Sequence, residues 1–248
     1  MAAIMPHERL HVYDKALSVV RTMAAQVEVW PSVYSVRDQM DRACESLITN
    51  LVKAAWHQPA QRAIYEIECS LGSALECAAC LDVACIEGLI DARLAAATKQ
   101  TLMEVTRMEI GLRKSWSACI REEPGPYGEE EPTFAHESLQ VYQRGLDLLR
   151  VLVEDVLVTE NLKNRHVRRI DELVTSLLLN IAEGNGRFSQ LDHRQFIRTA
   201  EESGVRLAAY LDLVSPNHPR TSATAKSFLR DVMAMVAGLK GYLDTGSE

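Results

Sequence analysis

Three groups of residues in this 248-residue chain have types and spacings suited to chemistry. Glu8-Arg9-Leu10-His11 has the Glu-x-x-His spacing that puts a carboxylate and an imidazole on one helix face. Di-iron sites in helical bundles are built from two such pairs. The counterpart further along is Glu137-Ser138-Leu139-Gln140, where glutamine stands in place of histidine. The ligand set is incomplete, so no metal site is expected there. Cys77-Ala78-Ala79-Cys80 has the Cys-x-x-Cys spacing. Zinc takes four ligands, commonly from two such pairs, and no second Cys or His pair lies nearby. Cys69, Cys77 and Cys80 fall near one helix face, where cysteine packs as a small hydrophobe. Core packing is the expected role, with metal or redox use as the alternative. No Gly-rich phosphate loop, Gly-x-Ser-x-Gly elbow or paired catalytic carboxylates occur, and the seven histidines form no nucleophile–base pattern. Neither catalysis nor a cofactor is expected.

The third group is basic. Lys163-Asn164-Arg165-His166-Val167-Arg168-Arg169 is the densest cationic run, and Arg187, Arg194 and Arg198 follow around the next turn and helix. Packed at one end of two adjacent helices, these groups would offer bidentate donors to phosphate. Lys163, Arg165, His166, Arg168, Arg169, Arg187, Arg194 and Arg198 are therefore the candidate RNA- or partner-binding residues. The competing reading is a solvated face with local ion pairs to Asp171, Glu172 and Glu183.

The elements that must position these groups come in two matching sets. His7-Glu8-Arg9-Leu10-His11-Val12-Tyr13 returns 129 residues later as His136-Glu137-Ser138-Leu139-Gln140-Val141-Tyr142. Ser46-Leu47-Ile48-Thr49-Asn50 returns 130 residues later as Ser176-Leu177-Leu178-Leu179-Asn180, and Ala78-Ala79-Cys80-Leu81-Asp82 as Ala208-Ala209-Tyr210-Leu211-Asp212. A period this long reads as a duplicated domain rather than a solenoid unit. In the first copy, Leu10, Tyr13, Leu17, Val20 and Val27 mark one helical stripe, ending before Pro31. Val36, Met40, Ala43, Leu47, Leu51 and Ala54 mark the next, ending before Pro59. A third helix is expected from about 60 to 87, stopped by Gly88, and a fourth capped by Asp91.

In the second copy Leu139, Tyr142, Leu146, Leu149, Val153 and Val156 line the first helix. Val167, Ile170, Val174, Leu177 and Ile181 line the second in a heptad rhythm, with Gly184-Asn185-Gly186 ending it. Ser189 caps the third helix, and the fourth runs from about Thr221 to Leu243. No segment shows strand alternation. The expected fold is all-α: two tandem antiparallel four-helix bundles, at 1–120 and 136–248, joined by a Pro/Gly-rich acidic linker at 121–135.

Bulk composition narrows the function classes. The chain is 47% hydrophobic and 25% charged, as folded soluble proteins are. Of the net charge of −7, residues 1–120 carry −2, residues 121–132 carry −4 and the remainder −1. Both domains are nearly neutral, which excludes a global attraction for nucleic acid but permits a local patch. The linker's charge run reads as a spacer, or alternatively as an acidic interaction tail. The longest apolar stretch, from Ala74 to Ile90, is interrupted by Glu76, Asp82 and Glu87, unlike a membrane span. All six cysteines lie in the first half. With no export signal at the N-terminus, they are read as reduced and the protein as cytoplasmic.

Asn180-Ile181-Ala182-Glu183-Gly184, followed by Arg187 and Ser189, carries a family resemblance, with Leu139-Gln140-Val141-Tyr142 before it and Phe196 through Leu207 after. The stretch resembles a bacterial four-helix-bundle family. That family includes proteins encoded in intervening sequences of 23S rRNA genes and the accessory variability determinants of diversity-generating retroelements. The resemblance covers most of residues 136–243 and extends more weakly over 7–116. The first copy, Asn50-Leu51-Val52-Lys53-Ala54, keeps little of the motif. Ile181 is expected to fill the seam, Gly184 to let the chain leave the helix, and Asn180 and Glu183 to satisfy backbone groups at that end. The resemblance implies a non-enzymatic accessory or scaffold subunit that forms homo-oligomers and binds a reverse transcriptase or its RNA. The alternative is a self-associating or protein–protein adaptor module without nucleic-acid binding.

Overall fold

The computed structural model describes residues 5–120, 134–158, 160–187 and 189–245. Three- and four-residue apolar spacing produces eight α-helices among the described residues, in two sets of four. The first set is α1 (His11–Val27), α2 (Ser35–His57), α3 (Gln61–Ile86) and α4 (Ala92–Cys119). The second is α5 (Gln140–Val153), α6 (Arg165–Asn185), α7 (Gln190–Val214) and α8 (Pro219–Thr245). There is no strand among the described residues. In each set every helix packs on its two neighbours, with the first also on the fourth, so both are up-down four-helix bundles. Of the expected linker 121–135, residues 121–133 lie outside the described residues, while Phe134 is buried in the core and Ala135 opens a short 3-10 turn (Ala135–Ser138), so the second bundle begins earlier than expected.

Helix ends follow local chemistry. Gly88 has φ +71°, a conformation that favours glycine, and turns the chain after α3. Asp91 Oδ1 caps α4 by accepting from Arg93 N (2.9 Å) and Leu94 N (3.2 Å). Ser189 caps α7, and Pro219 occupies the first turn of α8, where its missing N–H costs nothing. The exit from α6 differs from expectation. Gly184 lies inside the helix, which runs on to Asn185. A Cβ at Gly184 would sit 2.9 Å from Phe196 Cβ, so this glycine allows α7 to approach rather than the chain to leave.

Matched residues make matched contacts. His7 packs edge-on against Tyr13 at 4.7 Å between ring centres, and His136 against Tyr142 at 4.8 Å. Ser73 Oγ donates to Ser46 Oγ (2.8 Å), and Ser176 and Ser203 are joined in the same way (3.0 Å). Asn50 and Asn180 each turn a side-chain amide back onto the serine one turn earlier.

The two bundles share one apolar core. α3 packs on α5 and α6, and α2 on α6. This seam explains why α3 is buried almost all round whereas its counterpart α7 buries one face. Leu75 packs on Gly186, where a Cβ would come within 1.8 Å of Leu75 Cδ1. Tyr142 Oη donates to Asp82 Oδ2 (3.0 Å), and Lys99 pairs with both Asp82 (2.8 Å) and Glu137. Ser35 N donates to Asp171 Oδ2 (2.8 Å). α3 is the one described helix long and apolar enough to cross a membrane, and most of that stretch is buried inside the protein.

The seam also revises the stripe expected on α1. Its buried face is Val12, Ala16, Val19, Met23 and Val27. Tyr13 and Val20 pack only at its edge, and Leu17 is half-exposed. In α5 the corresponding residues Tyr142, Leu146 and Leu149 are buried, because α5 packs on α3 as well as on its own bundle.

Candidate nucleic-acid interface

The basic run sits where α6 begins. Buried Leu162 anchors the turn before it, and Asn164 caps the helix by accepting from His166 N (2.9 Å). Lys163, Arg165 and Arg168 are exposed, while the His166 ring tilts against Tyr210 at 6.0 Å. The first turn of α6 carries no acidic residue. Cations at the positive end of a helix dipole are unfavourable, and a bound anion relieves that. Arg169 differs from its neighbours, because its guanidinium is paired with Glu172.

Beside this end lies a cleft of about 580 Å³ between the start of α2, α6 and α7. Arg168 and Arg169 line it with Arg42 and Arg206, while Asp38, Glu172 and Glu202 offset part of their charge. Arg42 Nη2 is held by Gln39 Oε1 at 2.7 Å. The sequence reading missed Arg42 and Arg206. The Ser176–Ser203 contact, which the sequence alone does not give, fixes the antiparallel register of α6 and α7 and places residue 206 near 172 and 173. Arg42 comes from the other bundle, and only the seam brings it here.

The structure does not gather all the candidate arginines at one end. Arg187 and Arg194 lie at the far end of α6 and the adjoining start of α7. They are separated from Arg165 by a helix of 21 residues, about 30 Å at 1.5 Å per residue. Arg187 points inward. Its side chain is 13% exposed, paired with Glu183 and stacked over Phe196 with 4.7 Å to the ring centre. It also reaches across the seam toward Cys69 Sγ and lies against Gly72. Arg194 Nη2 donates to Leu243 O (2.7 Å), tying α7 to the end of α8. Arg198 is exposed and directly precedes Thr199, which lines the cleft. The family motif is likewise turned inward. Ile181, Ala182 and Gly184 are buried, Asn180 donates to Ser176 O (2.7 Å), and Glu183 serves Arg187 rather than the helix end.

The other candidate chemistry resolves into packing. Glu8 accepts from Met5 N (2.6 Å) and caps its own turn, while His11 is exposed. Cys77 and Cys80 are fully buried, with Cys77 Sγ 3.9 Å from Cys44 Sγ. Burial pushes the Cys80 thiol well up; the neighbouring Cys44 thiol and burial do the same for Cys77. Neutral thiols are poor nucleophiles and poor metal ligands. Asp82, His136 and Glu137 place ligand atoms within 4.8 Å of one another. The Lys99 ammonium already pairs with both carboxylates, so the cluster has its own cation and joins the bundles. His136 is buried with neither ring nitrogen bonded, and burial followed by the Lys99 charge lowers its pKa to about 3.

Two buried acids, Glu87 and Glu109, and the half-buried Glu76 were not read from the sequence as perturbed groups. Burial raises Glu109 to about 8, though Ser70 Oγ donates to it at 2.5 Å. Burial and the Glu183 charge raise Glu76 to about 7. Burial and the facing Asp171 push Glu87, just after α3, up to about 10. Acids among apolar residues in helical segments carry no distinguishing spacing.

Residues 8–111 match the family model of the 23S rRNA-intervening sequence protein. The match spans most of the first bundle and supports that family for this stretch. It falls on the copy whose turn motif had diverged, whereas the motif-based resemblance was strongest over 136–243. No curated protein and no solved structure matches the chain.

Proposed function

We propose that this protein is a non-enzymatic helical scaffold of an RNA-containing assembly, contacting RNA phosphates through the start of α6. The observation that carries this reading is the exposed Lys163, Arg165 and Arg168 at the positive end of α6, flanked by Arg42 and Arg206 across an open cleft. The family match over residues 8–111 is consistent with an RNA-associated setting. A reverse transcriptase as protein partner, and a cytoplasmic location, belong to the same proposal and rest on the sequence resemblance alone. The two bundles are read as copies of one ancestral domain, supported by the matched His–Tyr and Ser–Ser contacts.

The test is fluorescence anisotropy with a structured RNA. Replacing Arg168 and Arg169 by Ala is expected to weaken binding and flatten its salt dependence. Absence of binding by the unaltered protein at low salt would refute the RNA contact. A second reading, an adaptor that binds protein rather than RNA, is favoured by the exposed apolar residues of α7.

A further inference from the structure

Phosphate contact accounts for the arginines of the cleft but not for its acids. A carboxylate only accepts hydrogen bonds, and beside a phosphate it repels. A surface serving phosphates alone has no use for Asp38, Glu172 and Glu202 among its arginines. Two of the three have cations of their own. Arg169 pairs with Glu172, and Arg37 lies 4.0 Å from Asp38. Glu202, exposed on α7, has no side-chain ion pair or hydrogen bond among the described residues. The same holds for the side chains of Arg206, one turn further along α7, and Arg168 on α6. The cleft therefore offers one unengaged carboxylate together with two unengaged guanidinium groups.

Its size and position point the same way. At about 580 Å³ it falls within the range of small-ligand sites, which favour junctions between domains, and a duplex does not enter it. The start of α2 from the first bundle lines it together with α6 and α7 from the second. A single unpaired nucleotide suits these groups, with a phosphate for the free arginines and a base edge for the free carboxylate. Arg42, whose Nη2 is held by Gln39 Oε1 at 2.7 Å, adds a planar group of the kind on which bases stack.

The two oxygens of Glu202 select the base. Both accept, so the base must turn two adjacent donors toward them. On its pairing edge guanine alone does so, through N1–H and the 2-amino group. Adenine and cytosine set a ring-nitrogen acceptor beside their amino group, and uracil flanks its one N–H with two carbonyls. We infer that the cleft takes a guanine nucleotide, free or turned out of an RNA strand, with Glu202 accepting from the N1–H and 2-amino edge and Arg168 and Arg206 donating to the phosphate. For RNA this rests on the contact proposed above and adds the identity of the base.

The test is titration calorimetry of the nuclease-treated protein with GMP, AMP, CMP, UMP and IMP. One bidentate contact to a base edge discriminates by about tenfold or more, so GMP is expected to bind tighter than AMP, CMP and UMP by that margin. IMP lacks the 2-amino group and is expected to lose most of it. Glu202→Gln sets a donor beside an acceptor and is expected to abolish the guanine preference. Arg206→Ala is expected to weaken all five nucleotides alike and to leave the preference in place. Both positions are exposed, and unchanged helical circular dichroism shows that the variants fold. Uridine oligomers with and without a single guanine repeat the comparison for RNA by fluorescence anisotropy. No binding in either format, equal affinity for all bases in both, or a guanine preference that survives Glu202→Gln would overturn the inference. RNA binding that is salt-dependent but indifferent to guanine would also overturn it, and would leave the phosphate contact standing. A guanine preference among free nucleotides without RNA binding would uphold it and refute the RNA contact.

Discussion

Glu87 gives the most demanding test of how the two bundles are joined. It follows α3, is buried, and faces Asp171 of α6. Burial first, and then the Asp171 carboxylate, push its pKa up to about 10 from 4.5. Between those values the folded protein keeps a proton that the unfolded chain releases. This acid's contribution is therefore fully present below about pH 4.5 and is lost as pH rises toward 10. Raising the pH from 6 to 8 therefore removes roughly 3 kcal/mol through Glu87. Glu87→Gln keeps the shape and neutrality of the protonated acid and has no proton to lose. Urea unfolding of both proteins at pH 6 and pH 8 measures the effect. Glu76 and Glu109 titrate in the same window but are common to both proteins, so the difference between them reports Glu87 together with the Asp171 it faces, whose pKa burial also raises. The variant is expected to gain on the parent by about 2 to 3 kcal/mol between the two pH values. An equal loss in both proteins would refute a protonated Glu87 in the seam.

Other substitutions probe neighbouring contacts. Gly186→Ala places a methyl 1.8 Å from Leu75 Cδ1 and is expected to cost about 1 to 3 kcal/mol of stability. Much of that loss should be recovered in a double variant with Leu75→Ala, as a mutant cycle by urea unfolding would register. Arg187→Ala strips Glu183 of its largely buried partner and is expected to lower stability by about 3 kcal/mol, read from the same unfolding curves. Tyr142→Phe removes the hydrogen bond to Asp82 across the seam and should cost about 1 kcal/mol. A calorimetric midpoint equal to that of the parent would count against that bond.

Helix positions were legible because apolar spacing and caps are local. Pro31, Pro59, Gly88, Asp91 and Ser189 mark ends within a turn of where they fall. What the sequence hid lies where the bundles meet. The α1 stripe Tyr13, Leu17 and Val20 looks like a core stripe, and its counterpart in α5 is one. Whether it is buried depends on what packs outside the bundle, which periodicity within one helix does not encode. The basic residues show the same limit. Their density suggested one patch, but α6 separates its two ends by its full length. Arg187 and Arg194 are occupied by Glu183 and Leu243, partners 4 and 49 residues away. Arg42 joined the cleft only because the seam carries α2 there. Gly186 does cap the end of α6, whereas Gly184 lies inside the helix and is small because α7 approaches it.

The separation of the two arginine groups puts the functional claim to its most direct test, the salt dependence of RNA binding in two single variants. Arg168→Ala lies in the cleft at the start of α6, and Arg194→Ala lies at the opposite end. The slope of log affinity against log salt is expected to flatten by about 0.7 to 0.9 for Arg168→Ala, one lost phosphate contact, and to stay unchanged for Arg194→Ala. Equal slopes in Arg168→Ala and the parent, or flattening in Arg194→Ala alone, would contradict the assignment of RNA contact to the start of α6.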